Sequence, residues 1–162
     1  MFDMPLKYGL LAALAIALVV AAVTDLRSRR IGNGLNAAIA LAAPLFWWAS
    51  SLSLWPGVVS QLAVALVTFG ICAGLFAIRA MGGGDVKLLS ALALWIEPVL
   101  FLRLIVAMAL LGGALTLLML LGRSVRGGRE QLAVPYGVAI AIAGIWVIAK
   151  DYMPAAAVPS MG

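Results

Sequence analysis

The sequence MGGGDVKL, residues 81–88, is a polar, glycine-rich interruption between long apolar runs. A carboxylate at the edge of membrane-like sequence is energetically costly, so Asp85 needs either a structural partner or a function. The three glycines before it have no Cβ atom, which lets backbone or an extended ligand strand approach the carboxylate. A second carboxylate, Asp25, lies at the end of the first apolar run. These two acids are therefore candidates for a pair.

Composition predicts a single integral-membrane domain over residues 1–162 with an all-α fold. The chain is 65% hydrophobic and 10% charged, and its mean hydropathy is +1.17. These values lie far outside the range of soluble domains. The single cysteine, Cys72, and the absence of histidine exclude a disulfide within the chain, histidine-based metal sites and Ser-His hydrolases. Chemistry is therefore left to carboxylate, lysine, hydroxyl and tyrosine groups, and we expect no cofactor.

Six apolar runs predict six transmembrane helices. They cover about residues 8–23, 35–55, 58–78, 86–96, 99–121 and 132–149. The fourth run would span only about 16 Å, so the fourth helix either stops within the membrane or continues to Glu97.

The basic residues predict the orientation, because cytoplasmic loops of membrane proteins are enriched in Lys and Arg. This rule puts both chain ends on the periplasmic side and puts Asp25 and Asp85 at the cytoplasmic face. It also explains the net charge of +5 without a nucleic-acid partner. The cytoplasmic set is Arg27, Arg29, Arg30, Arg79, Lys87, Arg123, Arg126 and Arg129, against Lys7, Arg103 and Lys150 outside.

The two acids have both structural and catalytic interpretations. Asp85 could be the N-cap of the fourth helix, and Asp25 could form a surface ion pair with one of the arginines at 27, 29 and 30. Alternatively, they form an aspartyl pair that shares one proton and activates water for amide hydrolysis. In that case the negative end of the first helix and the positive end of the fourth favour a proton on Asp25.

Three motifs together resemble the type IV prepilin peptidase family. Residues 24–33, TDLRSRRIGN, resemble its first aspartate motif, although the family usually has proline where Gly32 stands. Residues 81–88 resemble the G-x-G-D motif shared with other intramembrane aspartyl proteases. Residues 134–140, VPYGVAI, resemble the segment that opens the family's last helix.

This resemblance implies a multi-pass aspartic endopeptidase of the bacterial inner membrane, with Asp25 and Asp85 as the catalytic pair and no metal. The implied substrate is a prepilin with a basic leader and a hydrophobic helix, cleaved at the cytoplasmic face. Membrane lipid and the pilus assembly machinery are the other implied partners. With one cysteine and no long polar insertion, the chain resembles the compact, peptidase-only branch associated with tight-adherence (Flp-type) pili.

Other polar or flexible residues near the motifs are candidate substrate contacts, each with a structural alternative. The glycines would make room for an extended substrate segment, Lys87 could be topogenic, Asn33 could form a turn, and Tyr136 could be an interfacial anchor. Two rival functions remain from the residues alone: a small ion- or proton-coupled transporter, and a non-catalytic scaffold of a secretion apparatus. The candidate contacts are Gly82, Gly83, Gly84, Asn33, Lys87 and Tyr136.

Overall fold

The computed structural model describes residues 3–126 and 136–153, and every regular element in these ranges is a helix. The prediction of an all-α fold is therefore confirmed. A short kinked segment, Leu54–Val58, in which the backbone of Trp55 is extended, leads into the third helix. A wider helical turn, Ile148–Tyr152, extends the sixth. The helices are α1 Asp3–Ser28, α2 Asn33–Ala49, α3 Val59–Ala77, α4 Gly83–Ala93, α5 Pro98–Arg126 and α6 Tyr136–Val147.

Three helical segments are long and apolar enough to cross a membrane: Met4–Ser28, Leu54–Ala77 and Pro98–Leu121. The protein is therefore an apolar, helical membrane protein. Helices α2, α4 and α6 are shorter, so six spans with both ends on the periplasmic side stay a prediction. The expected start of the last span at residue 132, Arg129 of the cytoplasmic set, and residues 134 and 135 of the third motif lie outside the described residues.

Helix α4 is the centre of the bundle. It packs against α2, α3 and α6, while α1 lies beside α2 and α6, and α5 covers α6. Apolar residues on several sides of this short helix are almost fully buried, which removes their surface from lipid and water. Those that are at most 4% exposed are Val86, Leu88, Leu89, Ala91, Leu92 and Ala93.

The structure shows where the fourth helix ends. α4 ends at Ala93, and the carbonyl groups that follow find partners on neighbouring helices. The indole Nε1 of Trp47 donates to the carbonyl oxygen of Leu94 at 2.6 Å. The hydroxyl of Tyr152 accepts a hydrogen bond from the Glu97 amide at 2.9 Å and lies 3.5 Å from the Trp95 carbonyl oxygen. An apolar environment tolerates such a helix end because its backbone groups are satisfied by protein.

Candidate active site

Asp25 lies in the last turn of α1, inside the helix, and is only 6% exposed. The backbone amides of Gly137 and Val138, in the first turn of α6, face its carboxylate. Its Oδ2 atom is buried and has no hydrogen-bond partner among the described residues. An unpaired buried carboxylate oxygen is costly unless a proton or a ligand satisfies it.

Asp85 is the third residue of α4 and is 8% exposed. Gly82, in extended conformation, is the N-cap of this helix. The interpretation of Asp85 as the N-cap is therefore wrong, because the helix begins before the acid. The Asp85 carboxylate turns back toward Gly82, whose amide faces it. A side chain at residue 82 would place its Cβ 2.8 Å from Oδ2 of Asp85.

The two acids, 60 residues apart in the chain, line one cavity of about 350 Å³. Arg29, Arg30 and the loop that follows them form one wall, and the glycines before Asp85 form the other. Asp25 forms no ion pair with Arg27, Arg29 or Arg30, all of which are described and exposed. The interpretation of Asp25 as a surface ion pair is therefore wrong, because the carboxylate points into the protein.

The electrostatic environment of Asp85 differs from the expectation based on helix dipoles. Asp85 lies outside the three segments long enough to span a membrane. Burial, and secondly the negative charge of Asp25, raise the pKa of Asp85 to about 7, while the Gly82 amide opposes this rise. At Asp85, burial thus outweighs the positive end of α4. Which of the two acids holds a proton stays a prediction. Because the charge of Asp25 acts on Asp85, the ionisation of one acid depends on that of the other.

The loop between α1 and α2 holds the walls of the cavity together. α1 ends at Ser28 and is followed by Arg29, which has a positive φ of 52°. α2 begins after Gly32, whose φ is −63° and ψ is 137°. This φ is the one that proline imposes, so glycine in the family's proline position leaves the backbone path unchanged. Between them, Ile31 is 6% exposed and touches both Gly84 and Gly137.

The three glycines line the cavity but are also close to protein atoms. A Cβ on Gly83 would lie 3.2 Å from the Phe76 ring. A Cβ on Gly84 would lie 3.0 Å from the Ile31 Cβ and 3.2 Å from its backbone nitrogen. These contacts show that Gly84 lets α4 approach the loop before α2. A role for the glycines in substrate contact stays a prediction.

The other candidate contacts lie at different places. Lys87 and Asn33 meet at the rim of the cavity, where Nζ of Lys87 donates to Oδ1 of Asn33 at 2.7 Å. Asn33 lines the cavity, and Lys87 does not. Tyr136 is half-buried, and its ring packs against Gly112 of α5. The structure therefore does not bring Tyr136 into the cavity with the acids.

Three residues that position the acids were not among the predicted site residues. Gly137 admits the Asp25 carboxylate, since a Cβ there would lie 2.7 Å from Oδ2 and 2.9 Å from Cγ. Ile31 packs between the two walls. Asn36 is 4% exposed and donates from Nδ2 to the Gly84 carbonyl oxygen at 3.2 Å. Gly137 and Ile31 belong to the motifs that the sequence singled out, and Asn36 lies three residues after the end of the first motif.

A metal site is not formed by the part of the chain described. Within residues 3–126 and 136–153, no cluster of three or more acidic, histidine or cysteine side chains is placed to hold an ion. What the cavity offers is a pair of buried carboxylates and several backbone amides. Such an arrangement can hold a proton and orient a water molecule.

Comparison with known proteins identifies the class of this membrane protein. Residues 12–122, more than half of the chain, match the type IV leader peptidase family. The chain belongs to this family, and membership implies a leader peptidase-like function on prepilin substrates. Comparison with curated proteins gave no match, and neither did comparison with solved structures.

Proposed function

We propose that the protein is an aspartic endopeptidase in which Asp25 and Asp85 are the catalytic pair. The observation that carries this proposal is the shared cavity: two buried carboxylates from distant parts of the chain face the same space. Neither has the structural role that the sequence alone allowed, since one is not an N-cap and the other is not in an ion pair. Because the chain belongs to a peptidase family, peptide-bond hydrolysis is the reaction that we assign to the pair.

The proposed chemistry is hydrolysis of one amide bond by water. With one proton shared between the two acids, the ionised carboxylate removes a proton from water as the oxygen attacks the carbonyl carbon. The protonated carboxyl group donates to the carbonyl oxygen. Collapse of the tetrahedral intermediate breaks the C–N bond, and the amine leaves with a proton from the pair.

The proposed substrate is the leader of an Flp-type prepilin, cleaved at the cytoplasmic face of the inner membrane. Exposed Arg27, Arg29 and Arg30 lie at the cavity end of α1, as the positive-inside rule requires of a cytoplasmic end. One cysteine and the absence of a long polar insertion support the compact branch of the family. Pilus assembly proteins are the proposed machinery downstream.

The test is co-expression of a prepilin with the wild type, Asp25→Asn or Asp85→Asn, with leader removal followed by gel mobility. Each substitution removes a charge at nearly constant shape. Each should reduce processing by about a thousandfold or more, since the pair acts as a unit. Asp151→Asn is the matched control, because Asp151 pairs with Arg103 at 3.1 Å, away from the cavity. Processing that persists in either cavity variant would eliminate the aspartyl pair. The absence of processing by the wild type would favour a transporter or scaffold.

A further inference from the structure

A groove opens between α2 and α3 on the side of the bundle. Both helices pack against α4, but they make almost no contact with each other. The space between them is about 510 Å³, and α4 forms its floor. From Asn33 to Ala40 on α2, and from Lys87 on α4 to Leu94 just after its end, the groove follows about two helical turns, roughly 10 Å.

The groove lies next to the catalytic cavity. Asn33 lines both spaces, and the Lys87–Asn33 hydrogen bond joins α4 to α2 where they meet. A second apolar groove, of about 560 Å³, lies between α3 and α5. Among the described residues, that second groove shares no lining residue with the cavity.

One buried polar atom in the groove has no partner. The side chain of Asn36 lines the groove and donates to Gly84, but its Oδ1 is buried and unpaired among the described residues. This oxygen has almost no accessible surface, so a ligand reaches it only when the Asn36 side chain turns toward the groove. An N–H or O–H group of the ligand would then recover the free energy that the unpaired oxygen costs. A lipid acyl chain has no such donor. The groove therefore favours polypeptide over lipid.

The shape of the groove suits a helix. Ala37 and Ala40 on α2 and Ala91 on α4 are small, and small residues let helix backbones approach closely within a membrane. A helix also has four N–H groups free in its first turn. Hydrolysis requires an extended chain in the cavity, so a helix that begins just beyond it would present these groups near Asn36.

We propose that the groove between α2 and α3 binds the apolar helix of the substrate, and that the Asn36 side chain turns toward this helix so that Oδ1 accepts a hydrogen bond from its first turn. The chain of the substrate then passes Asn33 and enters the cavity in extended form. This inference rests on the proposed function, and it assigns the place where the membrane segment of the substrate is held.

Cross-linking tests the location of the bound helix. Cys72 is the one cysteine of the chain, so Cys72→Ala gives a cysteine-free protein, and Asp85→Asn keeps the prepilin uncut. In this background, Ala37→Cys is compared with Ala38→Cys, since both residues are exposed and only Ala37 lines the groove. A prepilin with single cysteines along the first two turns of its helix should form a disulfide with residue 37 and not with residue 38.

The outcomes test the groove proposal separately from the proposal of an aspartyl pair. The absence of a disulfide, or equal disulfide formation by residues 37 and 38, would overturn the proposal that the groove binds the substrate helix. A disulfide from Leu102→Cys instead would place the helix between α3 and α5 and also overturn it. Cross-linking requires no catalysis, whereas trimming of the prepilin by the Asp85→Asn protein would count against the aspartyl pair.

Filling the groove gives a kinetic test with the same control. Ala37→Leu should raise KM for the prepilin about tenfold with a smaller change in kcat, since the added side chain occupies the space of the ligand. Ala38→Leu should leave both constants within about twofold of wild type. Equal effects of the two substitutions, or an effect of Ala37→Leu on kcat alone, would contradict the proposal.

Discussion

The position of Asp85 in the first turn of α4 favours its ionised form, whereas its burial inside the protein disfavours that form. Burial and the charge of Asp25 raise its pKa to about 7, against an ordinary value of 3.8. A raised pKa means that the folded protein prefers the uncharged carboxyl group. The stabilising contribution is therefore present in full below about pH 4 and is lost as the pH rises to about 7.

This linkage predicts how the thermal stability of the detergent-purified protein depends on pH. The Tm of the wild type should fall as the pH rises from about 4 to 7. The free energy of unfolding should decrease by at most about 4 kcal/mol over this range. Asp85→Asn should remove most of this dependence, whereas Asp151→Asn should keep it. The measurement is Tm by intrinsic fluorescence at each pH. A wild-type Tm that is constant over this range would contradict the prediction.

Gly137 is the residue whose side chain would most directly disturb Asp25. A Cβ there would approach Oδ2 of Asp25 to 2.7 Å and Cδ1 of Ile31 to 2.9 Å. We expect Gly137→Ala to displace the carboxylate and to reduce processing by about tenfold to a hundredfold, because misplacement by about 1 Å has such effects.

Gly113 provides the control for this substitution. It lies in α5, is exposed, and has no atom within 4 Å of a built Cβ. Gly113→Ala should process prepilin like the wild type in the same gel assay. Normal processing by Gly137→Ala would mean that the α6 terminus can move away without affecting the site.

At the scale of single helices, apolar runs and helical segments coincide only in part. α1 continues to Ser28, beyond the apolar run that ends near residue 23, and α4 begins at Gly83, before the run that begins at Val86. Hydropathy marks residues that leave water, whereas a helix continues wherever its backbone hydrogen bonds can form. This difference places both acids inside helices, although the sequence indicated positions at helix ends.

The end of α4 depends on side chains from other helices. Trp47 supplies the donor for the Leu94 carbonyl oxygen at 2.6 Å. We expect Trp47→Phe to leave this oxygen unpaired and to lower the free energy of unfolding by about 1–3 kcal/mol. The measurement is denaturant or thermal unfolding in detergent.

Trp48→Phe is the matched control, because Trp48 is the next residue and is 68% exposed. Its replacement should change stability by no more than about 0.5 kcal/mol, as for other exposed sites. Equal losses from the two substitutions would show that the Trp47 hydrogen bond does not hold the end of α4.

At the scale of the whole molecule, the bundle has two chemically different ends. One end carries the cavity, both acids and exposed Arg27, Arg29 and Arg30. Features of the other end include the Trp47–Leu94 hydrogen bond and the Arg103–Asp151 ion pair. The positive-inside rule predicts that the cavity end faces the cytoplasm.

Cysteine labelling tests this orientation. Ser28, at the cavity end of α1, and Ser53, before α3, are both exposed. In the Cys72→Ala background, a membrane-impermeant maleimide added to intact spheroplasts should label Ser53→Cys and not Ser28→Cys. Permeabilisation should then expose Ser28→Cys. The reverse pattern would place the acids on the outer side and contradict cleavage at the cytoplasmic face.

Much of the site could be predicted from sequence because its residues lie in local motifs. Asp25 and Asp85 stand out as acids at the ends of apolar runs, and positive-inside counting places them at one end of the bundle. The roles of Gly137 and Ile31 in the site could not be predicted in this way. Their importance comes from contacts between α1, α4 and α6, and a single sequence does not show which faces of these helices meet.

The sequence by itself determined the all-helical membrane class, the two candidate acids and the family, because hydropathy and short motifs are properties of neighbouring residues. Only the tertiary structure decided that α4 is the buried centre, that Asp85 is the third residue of its helix, and that Gly137 closes over Asp25. It also decided that a groove lies open between α2 and α3. The physical reason is packing: helix faces meet where small residues allow close approach, and those meetings join residues far apart in the chain.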